Sequence, residues 1–194
     1  MKMGKFEKLF VNSPSHSQRV SGHAEKLLKL INFKAGQKYL DVGCGNGAAP
    51  IHLARKYHLD VTGIDVDLDQ IRLAEEQSQG LDNVRFLTIN GAQLPFEDGQ
   101  FDIVLTNKVT HHIPDWEAAV AEMIRVLKPN GYLIYADLIY SHWLATVGQA
   151  LAGNRAGFPT SSALTSIFEQ ERLAKIHRSK SPVHYEAVLQ KRID

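Results

Sequence analysis

The chain has 194 residues, 44% hydrophobic and 22% charged, which is enough apolar material for one globular domain with a real core. Its 22 Lys and Arg against 21 Asp and Glu leave a net charge of +1, too balanced for binding driven by phosphate neutralisation or by an anionic membrane surface. The one cysteine, Cys44, excludes an internal disulfide framework and any multi-thiolate metal site. Phe6-Glu7-Lys8 follows the basic start where a signal peptide would have an apolar core, and no apolar run reaches the roughly 18–20 residues of a bilayer span. A cytoplasmic protein without integral membrane association is expected.

The elements alternate along the chain. Val20, Ala24, Leu27, Leu28 and Ile31 recur at helical spacing and predict an amphipathic N-terminal helix, preceded by a polar segment from Ser13 to Arg19. Lys38 to Val42 reads as a strand that ends in the glycine run 43–47. A helix follows from Ala48 to Tyr57, with Pro50 tolerated in its first turn. Asp60 to Asp65 is the second strand. Asp67 and Gln70 have the spacing of a capping box for the next helix, whose Leu68, Ile71 and Ala74 are expected to share a buried face. Val84 to Ile89 and Phe101 to Thr106 read as the third and fourth strands. Asp115 is the expected N-cap of a helix through Leu127, stopped by Lys128-Pro129-Asn130-Gly131, and Tyr132 to Asp137 is the fifth strand.

Strands alternating with helices of about ten residues predict a doubly wound α/β fold, a mostly parallel Rossmann-like sheet with helices on both faces. After residue 138 the rhythm changes to helices over 141–152 and 161–172, then Ala174 to Lys180 and Val183 to Lys191 as a closing antiparallel hairpin. That hairpin brings the expected sheet to seven strands. One domain is expected over 1–194, with a helical cap over 1–34, a cofactor-binding core over 35–140 and acceptor-side elements over 141–194.

In such a sheet, ligands bind beyond the carboxyl ends of the strands where strand order reverses. Asp41-Val42-Gly43-Cys44-Gly45-Asn46-Gly47 ends the first strand, and glycines there let a ligand approach the main chain. Asp65 ends the second strand, 65 − 45 = 20 residues after the middle glycine, where a carboxylate can hold a ribose diol. Asp41 discourages a pyrophosphate and suits a ligand with an ammonium or sulfonium charge. A dinucleotide-dependent oxidoreductase, whose looser glycine pattern Gly43 to Ala48 also fits, therefore ranks second.

The Asp41 to Gly47 segment resembles the first motif of the class I S-adenosylmethionine-dependent methyltransferases. Gly63-Ile64-Asp65, Gln93-Leu94-Pro95-Phe96 with Phe101-Asp102-Ile103-Val104, His111-His112-Ile113-Pro114-Asp115, and Arg125 to Gly131 follow in that family's order. The set is similar to the small-molecule branch that includes the ubiquinone and menaquinone biosynthesis methyltransferases. The resemblance implies S-adenosylmethionine as cofactor, S-adenosylhomocysteine as product and a small-molecule acceptor. By it, Gly43 and Gly45 would line the methionine part, with Asp41 on its ammonium directly or through water. Asp65 would hold the ribose hydroxyls, Asn90 and Gly91 would edge the adenine, and Asn107 would lie near the sulfonium. Asn90 stands where the family often has Asp.

Methyl transfer needs a base only if the acceptor loses a proton, and the candidates are His111 and His112, whose family stretch also serves to shape the loop. As adjacent residues they are expected to point apart, and no metal site is expected. The other histidines are expected to be mostly solvated. Trp143, Leu144, Val147 and Leu151, followed by Phe158, read either as core packing or as an acceptor pocket or lid, with the segment from Phe10 to Arg19 closing from the other side. Asn107-Lys108-Val109-Thr110 lacks the prolines and stacking aromatic of methyltransferases that act on DNA amines, so no nucleic-acid partner is expected. A non-catalytic cofactor-binding module remains a third reading.

Overall fold

The computed structural model describes residues 11–152 and 155–192. Helix α1 (Pro14–Leu28) leads to strand β1 (Lys38–Val42), helix α2 (Ala48–Tyr57), β2 (Asp60–Asp65), α3 (Leu68–Gln77), β3 (Val84–Thr88) and β4 (Phe101–Asn107). A single 3₁₀ turn (Thr110–His112) precedes α4 (Trp116–Arg125). The chain ends in β5 (Leu127–Leu138), α5 (His142–Ala152), α6 (Ser161–Gln170), β6 (Leu173–Lys180) and β7 (His184–Lys191).

The strands form a seven-stranded sheet in the order β3-β2-β1-β4-β5-β7-β6. β1 to β5 pair in parallel, and β7 pairs antiparallel with both β5 and β6. The order reverses between β1 and β4, so the carboxyl ends of these two strands flank the crevice where such sheets hold ligands.

Alternation along the strands divides the core. Tyr39, Val61, Ile103, Leu105, Ile134 and Val188 face Leu27 and Leu28 of α1 and Leu53 and Ala54 of α2. Leu40, Val42, Val104, Leu133, Tyr135 and Leu189 face Trp116, Val120, Met123 and Ile124 of α4 and Leu164 and Phe168 of α6. A smaller cluster of Cys44, Ile51, Ile71, Ala74 and Phe86 seats α3 beside α2. Among the described residues no helix is long and apolar enough to cross a membrane.

Several local expectations are corrected. The polar segment from Ser13 to Arg19 does not precede the N-terminal helix but forms its start: Pro14 begins α1, and Ser13 Oγ accepts the His16 N–H at 3.3 Å as N-cap. Phe10 lies outside the described residues. Leu68 is 47% exposed, and the buried face of α3 is made by Gln70, Ile71 and Ala74 instead. The capping box is half formed: Asp67 accepts the Asp69 N–H, and the Gln70 side chain does not return to it. Asp115 stands at the N-cap of α4 without a side-chain cap bond.

Helix α4 ends at Arg125, and Lys128-Pro129-Asn130-Gly131 is an irregularity inside β5 rather than a turn before it. Leu127 pairs with Phe101 and Tyr132 with Ile103, so the tetrapeptide loops out of the ladder, with Asn130 at φ 62. Nor is the stripe on α5 core packing. No residue of α5 is buried, Trp143 is 69% and Leu151 84% exposed, and only the inner side rests on Phe158, which packs edge-on against Tyr140.

Arg125 ties the segment before β4 to α4. Its guanidinium donates to the Leu94 and Phe96 carbonyls, to Glu122 and to Asp98, while Glu122 accepts the Leu94 N–H. A lysine cannot reproduce that planar fork. Arg125→Lys is expected to speed amide exchange at Leu94 while leaving the protected amides of β4 and β5 unchanged, as read by hydrogen exchange.

Candidate functional site

Two cavities meet over the carboxyl ends of β1, β2 and β4. The larger, about 680 Å³, is lined by Asp65, Val66, Asn90, Gly91, Pro114 and Gln149 among others. The smaller, about 320 Å³, is lined by Val11, His16, Gly45, Asn107, Lys108 and His111 among others. Gly43, Asp65, Val109 and His112 border both, so the two form one crevice with a large and a small lobe.

The glycine loop is pinned where it leaves β1. The Gly43 and Cys44 N–H groups both donate to the Ile64 carbonyl, at 2.8 and 2.9 Å. Gly43 has φ +78, and a Cβ there would overlap the Val109 isopropyl group, which stands between the lobes. Asn46 Oδ1 accepts the Ala48 N–H at the start of α2. Cys44 is a free, buried thiol whose pKa burial pushes well above its ordinary value, an inert packing group.

Asp65 stands at the junction of the lobes. Its Oδ2 accepts the Gly45 N–H at 3.0 Å and its Oδ1 the Asp67 N–H at 2.9 Å. Each carboxylate oxygen retains a lone pair, so a fixed pair of acceptors faces the crevice. Asp41 is buried one layer below the lining, on the face of β1 that also carries Tyr39. Burial, and then the nearby Asp65 carboxylate, raise its pKa to about 7.

The rim of the large lobe holds Asn90, whose Oδ1 accepts the Ala92 N–H at 3.0 Å, and the buried Gly91. Asn107, at the end of β4, borders the small lobe. Its Oδ1 is buried without a hydrogen-bond partner among the described residues. Gln70 is fully buried, and neither atom of its amide has a partner among the described residues. Its Oε1 lies 3.9 Å from where a Gly45 Cβ would be, so α3 presents an uncommitted amide to the back of the glycine loop.

The two histidines do not point apart. Their rings lie against one another at 3.9 Å between centroids, tilted by 42°. They differ in support. His111 Nδ1 is 2.5 Å from Asp137 Oδ1, with the His111 side chain 13% exposed and that of Asp137 fully buried. Asp137 Oδ2 accepts the Val109 and Thr110 N–H groups and the Thr110 hydroxyl, and Oδ1 also accepts the Leu138 N–H. Burial alone would raise the Asp137 pKa, but the bonds from His111, Thr110 and Leu138 hold it below the ordinary value. Asp137 is therefore a carboxylate, and His111 Nδ1 is the donor. The Thr110 hydroxyl must likewise donate to Asp137, so it accepts from the Tyr135 hydroxyl, 2.6 Å away.

Sequence reasoning passed over Asp137, although it ends an apolar strand much as Asp41 and Asp65 end theirs. Three of the other histidines are paired, whereas His58 and His142 are exposed as expected. His52 meets Glu25 at 2.6 Å, and His23 and His177 meet opposite oxygens of Glu186 at 2.7 and 3.0 Å. Among the described residues no group of three or more His, Cys, Asp or Glu could hold a metal ion.

The model of a family described as a methyltransferase domain matches residues 40–135. The chain is 36% identical over 146 residues to methyltransferase GfsG of Streptomyces halstedii, covering 74% of this chain and 51% of that protein. It is 32% identical over 118 residues to the 27-O-demethylrifamycin SV methyltransferase of Amycolatopsis mediterranei, covering 59% and 43%. The chain thus spans about half the length of the curated relatives it matches. The fold matches that of a geranyl diphosphate methyltransferase in complex with S-adenosylmethionine, with a TM-score of 0.74, 16% identity, and 94% and 92% of the two chains covered. With the family match lying on the strands and glycine loop that build the crevice, residues 40–135 belong to the methyltransferase-domain family.

Proposed function

We propose that the protein transfers the methyl group of S-adenosylmethionine to a small-molecule acceptor, and that residues 35–140 are its cofactor core. The observation that carries this reading is Asp65, a carboxylate fixed by two backbone N–H groups at the junction of two lobes, with spare acceptor capacity for a diol. Two features of the small lobe also fit the cofactor: the Asn107 Oδ1 without a partner among the described residues and the open main chain at Gly45. One relative is named as a 27-O-demethylrifamycin SV methyltransferase, which fits a small-molecule acceptor.

In this reading Asp65 binds the ribose hydroxyls, and Gly43 and Gly45 admit the methionine part. Asn90 and Gly91 edge the adenine in the large lobe, and Asn107 faces the sulfonium side. Asp41 attracts the ammonium from beneath, directly or through water. His111 and His112 stand where a proton would leave an acceptor. The bound sulfonium supplies an already activated methyl group, so the protein's own task is alignment and the exclusion of water, together worth several kcal/mol.

Asp41 makes binding depend on pH. Its carboxyl, raised to about 7, ionises when a cationic group binds above it, so the affinity for S-adenosylhomocysteine is expected to rise with pH toward 7 and to level off above. For the free protein the sign is opposite. The protonated form stabilises the fold below the ordinary carboxyl range, and that contribution is lost as pH rises through about 7. Asp41→Asn is expected to flatten both dependences, checked by calorimetry and by melting temperature across pH 5 to 8.

Calorimetry with S-adenosylhomocysteine, NAD and NADP tests the reading itself. Binding of S-adenosylhomocysteine alone supports it, and binding of a dinucleotide alone replaces it with the oxidoreductase.

A further inference from the structure

We propose that the cavity between α6 and the edge strand β6 is a second binding site, one for the phosphate group of a small phosphate monoester. It shares no lining residue with the crevice and does not depend on the methyltransferase reading.

The topology builds it. β7 pairs antiparallel with both β5 and β6, so β6 runs in the direction of β5 towards the end of the sheet on which the crevice opens. α6 begins beyond that end, where the Tyr140 N–H donates to the Pro159 carbonyl, and returns antiparallel to β6. A space of about 350 Å³ lies between the two elements. Arg178 and Lys180 share a face with Ala187 and Tyr185, their partners in β7, and that is the face α6 covers. Lys180 therefore stands towards the first turn of α6 and Arg178 towards its middle.

That end of the cavity is made of donors. Neither Arg178 nor Lys180 forms an ion pair among the described residues. Ser162 and Ser166 add hydroxyl groups. At the start of α6, the Thr160 hydroxyl accepts the Ala163 N–H and its carbonyl the Leu164 N–H, which leaves the Ser161 and Ser162 N–H groups without an intrahelical acceptor. Tyr185 is the observation that points to a ligand. It lines the cavity and is only 2% exposed, its ring packs against those of Tyr135 and Phe168, and its hydroxyl has no hydrogen-bond partner among the described residues. Leaving a buried hydroxyl unbonded is costly, and a ligand oxygen supplies the missing partner.

The set suits a phosphate. Two cations with converging N–H and O–H donors match a tetrahedral dianion, and the guanidinium fork can bond two of its oxygens at once. One carboxylate, Glu169, lines the same cavity without pairing to either cation. It lies 169 − 162 = 7 residues beyond Ser162 on the same helix, about 10 Å along its axis. A carboxylate there repels a second anionic group and accepts from hydroxyls, so the remainder of the ligand is neutral and hydroxyl-bearing.

NMR titration of the nitrogen-labelled full chain with glycerol 3-phosphate and with inorganic phosphate, at ionic strength held constant with sodium chloride, tests the proposal. The Ser161 and Ser162 amide resonances are expected to shift saturably, and glycerol 3-phosphate to saturate them at a several-fold lower concentration than inorganic phosphate. Arg178→Gln is expected to weaken binding about tenfold or more, and Tyr185→Phe, which keeps the packed ring, several-fold. Lys175→Gln removes a neighbouring exposed cation outside the cavity lining and is expected to change the affinity less than about twofold. Unchanged amide shifts far from the cavity confirm that each variant folds. Shifts that never saturate or that chloride reproduces, an affinity unmoved by both Arg178→Gln and Tyr185→Phe, or equal losses in Lys175→Gln and Arg178→Gln would each overturn the site and leave only general attraction to a basic edge. Equal or tighter binding of inorganic phosphate would overturn the monoester and leave free phosphate as the ligand.

Discussion

Asp65→Ala is expected to lower the affinity for S-adenosylhomocysteine about 100-fold or more. The carboxylate would make two charge-assisted hydrogen bonds to the ribose diol, each worth roughly 1.5–3 kcal/mol. The same substitution strips the Gly45 and Asp67 N–H groups of their acceptor, so the loop that must cradle the ligand also loosens. Asp65→Asn keeps the shape and one acceptor oxygen, and its loss should be nearer tenfold. Titration calorimetry measures both, with circular dichroism confirming that each variant folds. An unchanged affinity in Asp65→Ala would remove Asp65 from the ribose role.

Gly43→Ala combines two costs. The residue sits at φ +78, a conformation that costs an L residue about 1–2 kcal/mol, and its new methyl group would enter the space of Val109. Overpacking of this kind adds about 1–3 kcal/mol, so a total loss of roughly 2–5 kcal/mol in urea denaturation is expected. Val109→Ala in the same chain removes the two tightest overlaps, those with the Cγ atoms, and leaves a Cβ approach of 2.9 Å and the backbone strain. The double variant should therefore be less destabilised than the sum of the singles, and strict additivity would show that Val109 yields without cost.

Much of the architecture can be read from the chain because its parallel strands are β-branched, apolar and bounded by turns. The strands at Lys38 to Val42 and Asp60 to Asp65 stand at the expected residues. The misreadings have physical causes. On α3, Leu68 and Gln70 compete for the inner face, and the exposed leucine shows that position on the helix outweighed hydropathy. At residues 127–131 a proline and a glycine read as a stop, yet both fit a strand that can let four residues bulge from its ladder. Ser13-Pro14 signals an N-cap followed by a proline at the first helical position, a pattern legible in the sequence but outweighed by the polar residues after it.

The site divides in the same way. Asp41, the glycines and Asp65 are local features with fixed spacing, whereas the bond between His111 and Asp137 joins residues 26 apart through the pairing of β4 with β5. Only the position of an aspartate at the carboxyl end of an apolar strand hinted at it. Likewise, nothing in the composition of α5 distinguishes a buried helix from one that stands exposed beside the crevice.

A crystal structure with S-adenosylhomocysteine bound examines the central claim most directly. Both ribose hydroxyls should lie within hydrogen-bond distance of the Asp65 carboxylate, the adenine in the large lobe, and the amino group above Asp41. A ligand whose sugar avoids Asp65, or one lodged outside the crevice between β1 and β4, would contradict the account.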